Sequence, residues 1–381
     1  MKFPYKNILL TGLLIWLFAP PTIAGVGDND SKVSKTISER YLMPKNGHLD
    51  IINKYGQVLI SNSDNDSVVV IIEIIAYGKD RSAANKIIER VDFNFSQTNQ
   101  YLNLETVLDR KSGVFKELWN SIGDYSKTLL SKNKLEINYE VSVPRSTTIS
   151  INNKFGDVFM ADRYKKVELE LSHGNLRAND FNTDANISVS YGKAQIRHLK
   201  SGNLIFKATE VSIKSVGTVD IKSSSSELVI IKAEEVSLNS RSDKKVEINS
   251  IARLKGKMTF SKLQIENLTK SLDVDLSYTD ILISHIPFNF SLVRIASKSS
   301  DIELEFDPIT YMDVNIKAHE YRLDIPMEQL EKEYLDKKRG HAQYSGTIGK
   351  KNNYKGSLNI DSQHGPINIR LKPQQQSVKS K

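Results

Sequence analysis

The sequence predicts an all-β fold: a parallel β-solenoid, right-handed and β-helix-like, with two-stranded coils of about 18 residues and a small α+β cap near its N-terminus. Three observations lead there. The phrase NKYGQVLI at 53–60 returns as NKFGDVFM at 153–160. Apolar residues Val158, Leu176, Ala194, Val211, Leu228, Val246, Leu263, Ile281, Ile302 and Leu323 recur at intervals of 18, 18, 17, 17, 18, 17, 18, 21 and 21. Within the units apolar and polar residues alternate, with Val167, Leu169 and Leu171 on one side and Glu168 and Glu170 on the other.

Alternation with period two, rich in β-branched residues, marks strands with one buried face. Each unit holds two such runs around a turn, as in ISVSYGKAQIRHL at 187–199. A single unit cannot bury its apolar face, whereas a stack encloses a continuous core. At about 4.8 Å per strand the ten anchors describe a rod roughly 45–50 Å long, and parallel crossovers are right-handed as a rule. An antiparallel sandwich also alternates, but its loops vary more than this constant step.

The segment 1–24 places Lys2 and Lys6 before an apolar run from Ile8 to Ala19. That run is short against the roughly 20 residues of a membrane-spanning helix, so a signal peptide cleaved near Ala24 is expected. Residues 25–44 read as a linker, and 45–146 as the first coil and the cap. In the cap, 80–91 carries Ala83, Ala84, Ile87, Ile88 and Val91 at helical spacing behind Asp80 as N-cap. Long strands are expected near 93–108 and 134–144. Between them, 115–130 sets Phe115, Leu118, Trp119, Ile122, Tyr125, Leu129 and Leu130 on a helical stripe suited to covering an open sheet end. The repeats occupy 147–326, a charged helix (327–340) and closing strands fill 327–372, and 373–381 reads as a disordered tail.

The chain has no cysteine and a net charge of +8, or +6 once Lys2 and Lys6 are removed with the signal. Disulfides and thiolate metal sites are thereby excluded. The positive excess is spread without the basic, aromatic-interleaved stripe of a nucleic-acid protein. It is compatible with anionic surface polymers. No transmembrane segment is expected in the mature chain, whose location is predicted to be secreted or periplasmic.

Gly56, Gly156, Gly174, Gly192 and Gly365 share a turn position, where positive φ or a tight corner favours a residue without Cβ. Tyr55, Phe155, His173, Tyr191 and His364 precede them and read first as a stack of planar side chains along the rod, with a binding ledge for sugars as the functional alternative. Coils from 202 to 265 interrupt that row with Thr209, Ser224 to Ser226 and Ser242.

The seven histidines form no His-x-His or His-x-x-x-His pair, and neither a nucleophile elbow nor a phosphate-binding glycine fingerprint occurs. No metal, cofactor or catalytic residue is expected. Asp273, Asp275, Asp301, Glu303 and Glu305 form an acidic region, and Arg177, Arg197 and Lys214 a basic one. Alternating carboxylates can bind calcium or flank a glycosidic bond, but a solvated strand face has the same pattern.

The phrases INNKFGDVFM (151–160), LELSHGNLRANDF (169–181), ISVSYGKAQI (187–196) and LDVDLSYTDILI (272–283) resemble the bacterial putative-adhesin family, related to head GIN domains and common in Bacteroidetes. The resemblance covers roughly 45–372 and implies a β-solenoid without catalytic residues. The expected function is therefore a non-catalytic exported adhesin or envelope scaffold that binds a surface polysaccharide or envelope protein. The alternative is a carbohydrate-active β-helix enzyme, a lyase or glycoside hydrolase.

Overall fold

The structure is a computed structural model that describes residues 31–108 and 135–372. It is all-β apart from the helix Arg81–Ile88 and two short 3-10 turns. Most strands belong to one large, open and mostly parallel sheet arrangement.

Sequence periodicity becomes register directly. Val167 pairs with Ile149 on one side and Ala185 on the other, one repeat step away in each direction. Glu210 pairs with Glu227 across the shorter step of the repeat, and Ile281 with Ile302 across the longer one. Inward-facing apolar residues such as Leu228, Val246, Leu263 and Ile281 thus fall in line, at most 2% exposed. The two similar phrases are immediate neighbours: Asn53 pairs with Asn153 and Val58 with Val158.

Segments that break the periodicity add antiparallel strands beside the parallel ones. Strand Ser67–Gly78 runs antiparallel to both Leu135–Pro144 and Ser31–Leu42. The helix lies beyond it, with Ala84, Ile87 and Ile88 buried and the Asp80 carboxylate accepting from the Ala83 amide at 2.7 Å. The strand expected at 134–144 is found at Leu135–Pro144. The stripe at 115–130, the expected signal peptide and the tail at 373–381 lie outside the described residues.

Four expectations are corrected. Most of the stretch read as a linker is the strand Ser31–Leu42. Its Val33, Ile37 and Tyr41 pack against the core, and backbone pairing with the equally long strand Ser67–Gly78 holds it. The single strand expected at 93–108 is a hairpin of Val91–Gln97 and Tyr101–Leu108, because Thr98 turns and donates to the Tyr101 carbonyl. The charged helix expected at 327–340 is instead the strand Leu330–Asp336 followed by a 3-10 turn that ends at left-handed Gly340. An isolated helix of this length is marginal in water, whereas strand His341–Ile348 offers antiparallel backbone partners to Leu330–Tyr334 and Asp336.

The fourth correction concerns the last repeat interval. Ile302 does not pair with Leu323; both pair with Ile367, which sits between them. The chain overshoots through 312–324 and returns through the antiparallel excursion. Its final strands Gly356–Ser362 and Ile367–Leu371 then take the open place.

One buried cation sits in the core. Arg163, fully buried where the next rung has Phe181, donates to the carbonyls of Pro144 and Thr147 and to Asn62. With no carboxylate beside it, burial and the nearby Arg145 pull its pKa down to about 10.

Candidate binding surface

Tyr55, Phe155, His173 and Tyr191 occupy equivalent corners of successive rungs, but aromatic residue and glycine divide the work differently from the sequence expectation. The aromatic residue, not the glycine, takes the left-handed conformation: φ is 64° at Tyr55, 61° at Phe155, 57° at His173 and 59° at Tyr191. Ala208, Ser225, Ser242, Phe260, Tyr278 and Ser299 continue the row with φ between 48° and 55°. None is β-branched, as the sterics of this region require. Several of these turns are held alike, with the Tyr55, Phe155 and Phe260 amides donating to Lys154, Ser172 and Ser277 carbonyls on the next rung at 2.9 to 3.0 Å.

The glycine serves close approach instead. A Cβ on Gly156 would lie 1.9 Å from the carbonyl oxygen of Gly56, and one on Gly174 2.0 Å from that of Gly156. The positive φ expected at these glycines is found only at Gly365, at 111°.

Beyond Gly192 the position after the corner changes chemistry to Thr209, Ser226, Asp243, Ser261, Thr279 and Ser300. These side chains form an internal ladder. Thr209 N donates to Ser226 Oγ at 3.1 Å, Ser226 N to Asp243 Oδ1 at 2.7 Å and Asp243 N to Ser261 Oγ at 3.2 Å. Ser261 N then donates to Thr279 Oγ1 at 3.2 Å and Thr279 N to Ser300 Oγ at 3.0 Å. Asp243 also accepts from Ser223 and Ser240. Burial still pushes its pKa up, outweighing those hydrogen bonds.

Outward from the corners the aromatic rings stack. Tyr55 and Phe155 have centroids 5.4 Å apart, Phe155 and His173 5.0 Å, and His173 and Tyr191 4.8 Å, with ring planes within 10°. Three small residues then interrupt the row. Phe260 and Tyr278, absent from the glycine-marked corners, stack at 5.0 Å. Their signal is present in the repeat, but they precede serine and threonine rather than glycine. His364 is not part of either column and stacks with His319 at 5.6 Å.

Most of the charged candidates are held in ion pairs. Arg294 bridges Asp273 and Asp275, Glu303 faces Arg370 at 3.8 Å, and Glu305 binds Lys372 at 2.7 Å. Asp301 donates its amide to Asp280. Arg197 binds Asp180 and Asp162, and Arg177 contacts Gln195 and the Phe159 ring. No cluster of acidic and histidine side chains among the described residues has the arrangement of a metal site.

No family model matches the chain, and no curated protein matches it by sequence. Solved structures do. The chain is similar to a putative adhesin from Parabacteroides merdae, at 13% identity and a TM-score of 0.31 over 71% of this chain and 95% of that one. A putative cell adhesion protein from Clostridium sporogenes matches at 12% identity and a TM-score of 0.19, over 89% and 100% of the two chains. A structure described as a putative lipid binding protein from Parabacteroides distasonis matches at 11% identity and a TM-score of 0.30, over 71% and 92%. Among the described residues no helix is long and apolar enough to cross a membrane.

Proposed function

We propose that this chain is an exported, non-catalytic β-solenoid that acts as an adhesin or envelope scaffold, using its corner row to bind a surface polymer. The observation that carries the reading is the corner row itself. Ten residues share one backbone conformation and present side chains at the pitch of successive strands, on a rigid apolar core. A parallel register that keeps the repeat step from strand to strand supports stacked coils, with 45–146 as first coil and cap and 147–326 as the repeats.

The pairing of the acidic side chains argues against the lyase or hydrolase alternative. A glycosidase needs one carboxylic acid and one free carboxylate across a substrate-sized gap, whereas Asp273 and Asp275 share one guanidinium. The test is a glycan array with the mature protein, run beside reducing-sugar and unsaturated-product assays. Binding without turnover is expected; turnover lost in Asp301→Ala or Glu303→Ala would overturn the reading.

A further inference from the structure

Stacking changes what the aromatic row offers. Rings with parallel planes and centroids about 5 Å apart leave no room for a third ring between them. Inside each column only ring edges reach solvent. Faces are open only at column ends, and two such ends look toward each other across Ala208, Ser225 and Ser242.

The two ends differ. On the Tyr191 side the Lys207 ammonium sits 5.7 Å from the ring centroid, so this wall presents a cation. On the other side Phe260 is 59% exposed, and its stacking partner Tyr278 lies on the far face. Four strand steps of about 4.8 Å separate the walls, roughly 19 Å, enough for a short run of sugar residues.

Charge selects the ligand. Along the rim, Glu210 is bound by Lys193 at 2.7 Å and Glu227 by Lys244 at 2.9 Å. Exposed Lys207 and Arg241 have no carboxylate partner among the described residues. The rim is left with uncompensated positive charge beside a bare aromatic face. We infer that the interruption between Tyr191 and Phe260 is the binding site, and that it takes an anionic glycan. One pyranose stacks on Phe260, and acidic groups meet Arg241 and Lys207. This deepens and rests on the surface-polymer reading above.

The experiment titrates the full chain with polygalacturonate (carboxylates), heparin (sulfates) and neutral dextran by calorimetry. Ser242→Tyr, which extends the Phe260 column with a residue already tolerated at this corner, is compared with Phe260→Ala, Arg241→Gln and a distant control, Tyr164→Ala. Binding of one anionic glycan, weakened by salt and reduced at least tenfold by Ser242→Tyr and Phe260→Ala but not by Tyr164→Ala, is expected. An unchanged thermal midpoint in Ser242→Tyr keeps misfolding from mimicking that loss. Binding lost in Phe155→Ala but kept in Ser242→Tyr would overturn this site and leave the ledge reading standing. Equal binding of dextran would overturn the anionic site and leave the surface-polymer reading standing, whereas binding of none of the glycans would overturn both.

Discussion

Two stretches of one corner row solve the same problem with different atoms. From Tyr55 to Tyr191 the residue after the corner is glycine, the rungs nearly touch, and aromatic rings stack outside. From Ala208 to Ser299 that residue carries a hydroxyl or carboxyl, and a hydrogen-bonded ladder runs inside. In the first stretch the buried polar work is done upstream of the turn, where Asn153 donates to the carbonyls of Gly56 and Gly156 at 3.0 Å each. In the second the side chain after the corner accepts the amide directly. The lesson is that a left-handed corner fixes only the backbone; satisfying its polar groups can come from either side of the turn.

Breaking the glycine half should give the largest effect. Gly156→Ala forces a Cβ onto a backbone carbonyl that cannot rotate away, and should cost about 3 kcal/mol, as overpacking does. A urea midpoint unchanged from the parent would show that the rungs can spread there.

The matching blow to the ladder half is Thr279→Val. It keeps the shape but removes the acceptor for the Ser261 amide and the donor to the Ser277 carbonyl. A cost of about 1–3 kcal/mol is expected for the orphaned buried groups, read by the same denaturant titration.

Converting one corner type to the other comes next. Phe155→Ser imports the serine found at Ser225 and Ser242, keeps the backbone, and loses two ring contacts. About 1 kcal/mol of destabilisation should appear in thermal melts, consistent with stacking energies. A loss as large as that of Gly156→Ala would mean that the aromatic ring, not the glycine, sets the approach of the rungs.

The smallest effect sharpens the odd member of the ladder. Asp243 has a folded-state pKa raised by burial, so its ionisation opposes folding as pH rises through that value. Asp243→Asn should therefore raise the urea midpoint at pH 7. That gain should vanish below the usual carboxylate range, where Asp243 is protonated in both folded and unfolded chains. A gain that persists at low pH would point to packing rather than charge.

Much of this was legible in the sequence. The constant interval located the parallel register, and Ala84, Ile87 and Ile88 behind Asp80 located the helix. Phe260 and Tyr278 are legible only from the interval, because no glycine follows them to mark the corner. The strand Leu330–Asp336 was hidden because its side chains are largely exposed and its partner lies on another segment.

By itself the sequence determined the all-β class, the step between rungs and the corner row, since period-two burial and a fixed repeat are local properties of the chain. Only the tertiary structure decided that the last strands slip between Ile302 and Leu323, that Phe260 and Tyr278 form a second column, and that Arg294 takes up the Asp273 and Asp275 carboxylates. Those outcomes depend on which rungs become neighbours. Neighbours are chosen by burial and backbone pairing across the whole fold, not by adjacency along the chain.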